Sequence, residues 1–266
     1  MSLSNYAENE LLDHVLNNAA YTPPATVYVG LSTADPGEDG SGLAEPSGGS
    51  YARKAITFGA AAARRITQSV QVVFDQATAG WGNITHYAIF DAVSGGNMLD
   101  YGQLAATLTV NSGRTAVFVA GQIYIEFTAG YISTYLANKL LDLMFRNQAY
   151  ASPSTYAGFA TATIGDSDTG STVTQPSGGG YARLQVNPNG GSSPTWDLAV
   201  AGVVDNTHLL DFGTASADWG IVVASFVADA LTAGNILFYD NGTADQAVFD
   251  GDDAQVAVGA FDCSLD

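Results

Sequence analysis

Tyr51 and Arg53 stand two residues apart, and so do Tyr181 and Arg183. On a strand that spacing points both side chains to one side. The chain holds six arginines, and one of them returns at the same place in a repeated motif. Such an arginine implies a defined partner. The partner is either a carboxylate of the same domain, for which the repeated Asp91 and Asp229 are candidates, or a neighbouring subunit. Trp81 and Trp219, each followed by glycine, read as core plugs beside a bend, with an exposed sugar-binding ring as the alternative. Asn97 and Asn235 complete the repeated set, each directly after a glycine.

Other chemistry is sparse. His14, His86 and His208 are the three histidines; the first two align with Leu143 and Ala224, so neither recurs. There is no Cys/His cluster for a transition metal, no Gly-x-Ser-x-Gly elbow, no His-Glu-x-x-His and no P-loop. A Ser–His–Asp triad stays open, because its members need not be adjacent in sequence. Asp166-Ser167-Asp168 begins like a calcium loop, but Ser171 and Ser177 occupy the places where an EF-hand needs Gly and Glu. Asp250-Gly251-Asp252-Asp253 and the acids from Asp35 to Asp39 read as turn residues, with loop-bound calcium as the alternative. No enzymatic activity, cofactor or resident metal is expected.

These residues belong to a tandem repeat. Asn9-Glu10-Leu11-Leu12-Asp13 returns as Asn138-Lys139-Leu140-Leu141-Asp142, and Pro46-Ser47-Gly48-Gly49-Ser50-Tyr51-Ala52-Arg53 as Pro176-Ser177-Gly178-Gly179-Gly180-Tyr181-Ala182-Arg183. The sequence offset is 129 at Tyr21 and Tyr150, 130 at the Pro-Ser-Gly-Gly motif and 138 at Phe74 and Phe212. Length changes confined to Gly/Ser/Pro stretches describe one fold with variable loops. The expected units are 1–128 and 129–266, each large enough to own a core, and in contact because no long linker separates them.

Composition narrows the function classes. Residues 1–127 carry 11 acids and 5 bases, net −6; residues 128–266 carry 15 acids and 3 bases, net −12. A chain at −18 repels phosphate backbones, so nucleic acid is not an expected partner. The single cysteine, Cys263, excludes an internal disulfide framework and reads as a buried small hydrophobe. There is no signal peptide and no apolar run of membrane-spanning length, so a soluble protein made in a cytoplasm is expected, with no membrane partner.

The elements that must hold these residues are one helix and several short strands per unit. Asn5, with Glu8 three places on, reads as a capping box before an apolar stripe of Ala7, Leu11, Leu12, Val15 and Leu16. The second copy repeats the stripe, and Pro23-Pro24 and Pro153 are expected to stop the helices. Residues 26–32, 69–74, 84–90 and 122–127 read as strands, the last placing Ile123, Ile125 and Phe127 on one face. The expected fold is mainly β: two tandem antiparallel sandwich or barrel domains, each preceded by a short amphipathic helix. The polar loops 34–50 and 165–180 are candidates for partner contacts.

Taken together, Ser4-Asn5-Tyr6-Ala7-Glu8, Thr22-Pro23-Pro24, Leu31-Ser32-Thr33-Ala34-Asp35-Pro36, the Pro-Ser-Gly-Gly-Ser-Tyr-Ala-Arg motif, Ala79-Gly80-Trp81-Gly82, Asp91-Ala92 and Gly96-Asn97 resemble a family of small tailed-bacteriophage proteins. Its members are usually labelled phage tail fibre protein or uncharacterised virion protein. The resemblance covers residues 1–127 nearly end to end; in the second copy Leu31 to Pro36 is replaced by Ala160-Thr161-Ala162-Thr163-Ile164-Gly165. It implies a structural virion protein, assembled in the host cytoplasm with other virion proteins as a homo-oligomer, a trimer among the options. Capsid decoration is the leading expectation. A tail, tail-fibre or baseplate accessory and a glycan-binding adsorption module are the alternatives.

Overall fold

The computed structural model describes residues 2–187, 193–242 and 245–265. The first half contains β1 (Ser2–Leu3), α1 (Asn5–Leu16), β2 (Val27–Ser32), β3 (Lys54–Ile56), β4 (Arg65–Thr67), β5 (Val72–Val73), β6 (Gly82–Phe90), β7 (Met98–Val110), β8 (Val117–Phe118) and β9 (Tyr124–Glu126). The second contains α2 (Thr134–Arg146), β10 (Thr155–Ala160), β11 (Leu184–Val186), β12 (Val203–Val204), β13 (Leu210–Thr214), β14 (Gly220–Val222), β15 (Ala224–Ala228), β16 (Ile236–Asp240), β17 (Gln246–Val248), β18 (Asp253–Val256) and β19 (Cys263–Ser264). The fold is mainly β and the strands pair antiparallel. No helix among the described residues is long and apolar enough to cross a membrane.

Each half has a main sheet, in the order β1-β7-β6-β2-β3 in the first and β11-β10-β15-β16 in the second. Two-stranded ribbons form a second layer: β4 with β9 and β5 with β8, then β12 with β19 and β13 with β18. Aromatic rings join the layers. Tyr87 on β6 meets Phe118 on β8 edge-on at 6.4 Å, and Phe159 on β10 meets Phe212 on β13 at 4.4 Å. One buried amide interrupts each ribbon. Gln68 donates to the carbonyls of Val70 and Phe118 and accepts from the Ile123 N–H. Asn206 does the same work with His208, Ala257 and Phe261.

The structure corrects several sequence expectations. Ser4 and Ser133, not Asn5, cap the helices; their hydroxyls accept from the N–H groups of Ala7 and Leu136. The Ser133 hydroxyl also donates to the Ile236 carbonyl at 2.6 Å, and Ser4 does likewise to Met98, so each cap ties its helix to a hairpin. The helices end at Asn17 and Asn147, well before the prolines, and Asn147 adopts a left-handed conformation. Strand pairing places Leu31 opposite Tyr87 and Phe159 opposite Ser225, and their N–H groups meet Tyr51 and Tyr181 respectively. The offset is therefore 128 along β2 and β10, and Leu31 corresponds to Phe159, not Ala160. An offset of 138 already holds at Phe58 and Trp196, which bridge to Gln68 and Asn206. The longer connection of the second copy thus falls between Val186 and Trp196, a stretch that includes residues outside the described ones. The strand expected over 69–74 keeps only Val72–Val73, and β7 has no counterpart in the sequence reading, because a bulge between Gln103 and Leu108 breaks its alternation.

The apolar core runs across both halves. Leu11, Leu12 and Leu16 of α1, Leu140, Leu141, Met144 and Phe145 of α2, and Ile66, Phe118, Val204, Leu210 and Phe261 of the ribbons form one buried cluster. Fully burying each such side chain stabilises by roughly 1.5–3 kcal/mol. Helix α1 packs against its own β7 and against β12 of the other half; α2 packs against its own β16 and against β4 of the other half. A core shared in this way requires the halves to melt together. Leu12→Ala should lower stability by about 2–5 kcal/mol. It should lower the melting temperature reported by Trp81 and by Trp219 equally, read by fluorescence of variants that retain one tryptophan each. Two separated transitions would contradict the shared core.

Candidate functional site

The repeated Tyr-x-Arg residues close a loop onto the sheet. The Tyr51 hydroxyl accepts from the Leu31 N–H at 2.8 Å and donates to Glu45 Oε1 at 2.7 Å. Arg53 pairs with both oxygens of Glu45, lies over the Phe90 ring at 3.3 Å, and donates to the carbonyls of Ala92 and Gly95. The carboxylate partner is Glu45, not Asp91. In the second half Gln175 takes that place, Arg183 bonds the carbonyls of Gly170, Ala230 and Ala233, and Asp229 does not pair with it. Burial pulls the Arg183 pKa down from its usual value. Asp91 and Asp229 instead close the hairpin between sheet strands, each accepting from the N–H and the side-chain amide of Asn97 or Asn235. Gly96 and Gly234 sit at positive φ inside these turns, where a Cβ would lie 2.2 and 2.3 Å from the aspartate oxygen.

Trp81 and Trp219 are buried, and their indole N–H groups donate to the carbonyls of Gly49 and Gly179 at 2.9 and 2.8 Å. Tyr51 and Tyr181 meet them edge-on. Loops 34–50 and 165–180 are therefore pinned at their motif ends by Trp, Tyr and Arg together. Glu45 carried a signal that the sequence reading passed over: an acid or its amide precedes Pro-Ser-Gly-Gly in both copies.

The histidines and acids make local contacts, and His86 lies beside Thr85 and 3.9 Å from Asp35. Ser32 lies opposite His86 on the β2–β6 ladder, but its hydroxyl is engaged with Ala34 and Ala44. His208 bonds the hydroxyls of Thr195 and Thr207. Asp166 of the suspected calcium loop accepts from Arg64 at 2.9 Å and from Tyr239, while Asp168 accepts from Gly165 and Thr172. Among the described residues no three His, Cys, Asp or Glu side chains group as a metal requires. Cys263 is buried, and burial pushes its thiol pKa up. A cleft of about 580 Å³ lies in the second half between Phe159, Val203, Asp240 and Phe261, and no histidine lines it.

The residues that bring the halves together are those of the Asn-x-Leu-Leu-Asp motif. Asn138 and Asp142 on α2 accept from the N–H groups of Arg64 and Ala61, each at 2.9 Å. Asn9 and Asp13 on α1 accept from Gly202 at 3.1 Å and Ala199 at 2.9 Å. Each helix thus holds a tight turn of the other half. Both turns have two central residues at positive φ, Ala63-Arg64 and Ala201-Gly202, the arrangement of a type I′ hairpin. Asn17 and Arg146 brace the two aspartates from one turn further along their helices. The Arg64 side chain bonds the carbonyls of Phe127, Thr128 and Ile132, so it clamps the connection between the halves. His14 adds a further link: Nδ1 accepts from the Tyr21 N–H, which leaves Nε2–H to donate to the Tyr150 carbonyl at 2.9 Å.

Two stability effects follow from this geometry. Arg53→Met leaves the partly buried Glu45 with the Tyr51 hydroxyl but no cation and should cost about 3 kcal/mol, while Arg183→Met, opposite a neutral Gln175, should cost less; urea denaturation of each variant measures both. Burial lowers the His14 pKa below its ordinary value. Its contribution is then fully present above the unfolded value of about 6.5 and is lost as pH falls below it. His14→Leu, which copies Leu143 of the other half, should flatten that acid-side decline in melting temperature below about pH 6.5.

Comparison with known proteins agrees with the repeat. The family model described as Podophage GP4 fiber I protein gp80 matches residues 2–126 and again residues 131–264. Comparison with curated proteins returned no match. The two matched segments carry the two helices, the two main sheets and both halves of the clasp. The chain belongs to the Podophage GP4 fiber I protein gp80 family, a family of phage fibre-type virion proteins, and holds the family's unit twice.

Proposed function

We propose that the chain is a non-enzymatic building block of a tailed-phage fibre, in which units 1–128 and 129–266 act as one stiff body. The observation that carries this reading is the use made of the repeated polar residues. Arg53, Arg183, Asp91, Asp229, Trp81 and Trp219 all hold loops, and Asn9, Asp13, Asn138 and Asp142 hold the halves together. What the duplication preserves is therefore shape. The family's description as a fibre protein supports a fibre over capsid decoration. The surfaces differ between halves, as suits a block with two kinds of neighbour. On the outer face of the ribbon, Val73 pairs with Val117 in the first half, where the second has Asp211 and Gln255. The first half, with net charge −6, is the better docking side, and the half at −12 suits an exposed position.

Quantitative mass spectrometry of virions, with gold-labelled antibody against the chain, tests the placement. A few copies to a few dozen per particle, with label at the tail, is expected. Hundreds of copies with label over the head would make it a capsid decoration protein.

A further inference from the structure

We propose that the contact between the halves is a subunit interface made covalent: the surface formed by the helix acceptors and the tight turn of one unit is self-complementary, and its fitting partner is a second unit of the same family, whether or not a peptide links the two. The contact is reciprocal at the level of single atoms. Asn9 and Asp13 of the first unit hold turn 199–202 of the second; Asn138 and Asp142 of the second hold turn 61–64 of the first. Residue set i meets set j and set j meets set i, which is the definition of an isologous, twofold contact. Units arranged head to tail in a ring would present different sets to each neighbour.

The surface has the anatomy of an obligate interface. It is apolar at its centre, with Phe58 against Phe145 at 5.6 Å and each helix against the other half's ribbon. The polar bonds sit around that centre and satisfy backbone donors on both sides. The donors are in the same places in both halves although the turn residues differ, Ala-Arg in one and Ala-Gly in the other. The connection itself adds contacts that the twofold relation does not repeat: Arg64 holds Phe127, Thr128 and Ile132, and Gly202 takes the matching place in the second half. This separates a repeated interface from a one-off clamp on the linking peptide. The inference concerns how the units hold each other and is independent of where the protein sits in the virion.

A protease site inserted between Thr128 and Ala129 of the full chain tests it. After folding and complete cleavage, the two fragments should co-elute from a sizing column at the position of the uncut protein, and should stay together on tenfold dilution. Separation or precipitation of the fragments on cleavage would overturn the proposal. In the cleaved protein, Asp13→Ala with Asp142→Ala should shift dissociation to at least tenfold higher concentration, and Asn9→Ala alone should give a smaller shift in the same direction. If these variants, folded when uncut, bind as tightly after cleavage as the cleaved parent, the reciprocal contacts are not what joins the units and the proposal fails.

Discussion

Four backbone N–H groups, at Ala61, Arg64, Ala199 and Gly202, find their acceptors on a helix of the opposite half. A donor buried at an interface without an acceptor costs about 1–3 kcal/mol, so these turns require the other half to be in place. The acceptors must lie on one helical face at i and i+4, beside the apolar stripe that fills the core. That requirement explains why Asn-x-Leu-Leu-Asp is kept in both copies: the leucines are buried in the shared core, and the two ends of the motif reach across. The turns are also conformationally costly. Ala63 and Arg64 hold positive φ without glycine, which is maintained only where surrounding contacts over-determine it.

The duplicated fold keeps geometry and exchanges chemistry. Glu45 becomes Gln175, yet both meet the arginine Nε at 3.0 Å. Gln68 becomes Asn206, one methylene shorter, and still serves its ribbon, with one acceptor moved a residue along, from the position of Phe118 to Ala257. These substitutions keep a polar atom in place while changing charge and reach. A scaffold selected for shape tolerates that, because a buried group needs a partner, and a neutral amide oxygen can stand where a carboxylate oxygen stood. The surface is freer still, and there the halves diverge in net charge and in ribbon-face residues. The interior thus keeps its geometry while the exterior is free to differ.

Several parts of this arrangement were legible in residues alone. The two helices, the burial of Ile123, Ile125 and Phe127 about the strand Tyr124–Glu126, and the repeat itself follow from periodicity and from motif order. The cap of the first helix lies one place before the sequence expectation, because Asn5 and Ser4 are both good caps and only the bond from Ala7 to Ser4 distinguishes them. Repetition in the sequence points to Asp91 as a partner for Arg53, whereas the arginine meets Glu45, in a loop whose path no local rule describes. Strand β7 was hidden because its bulge breaks the period of two.

The sequence by itself determined the local structure and the duplication, because capping, hydrophobic period and turn chemistry act over a few neighbouring residues. Which charge meets which, and that the Asn-x-Leu-Leu-Asp motif reaches into the other half, was decided by tertiary structure. Asp13 and Ala199 are far apart along the chain, and the bond between them exists only after both ribbons and both helices are in place. The Tyr-x-Arg pair was the conspicuous repeat of polar chemistry and turned out to fasten a loop. The Asn-x-Leu-Leu-Asp repeat fastens one half to the other.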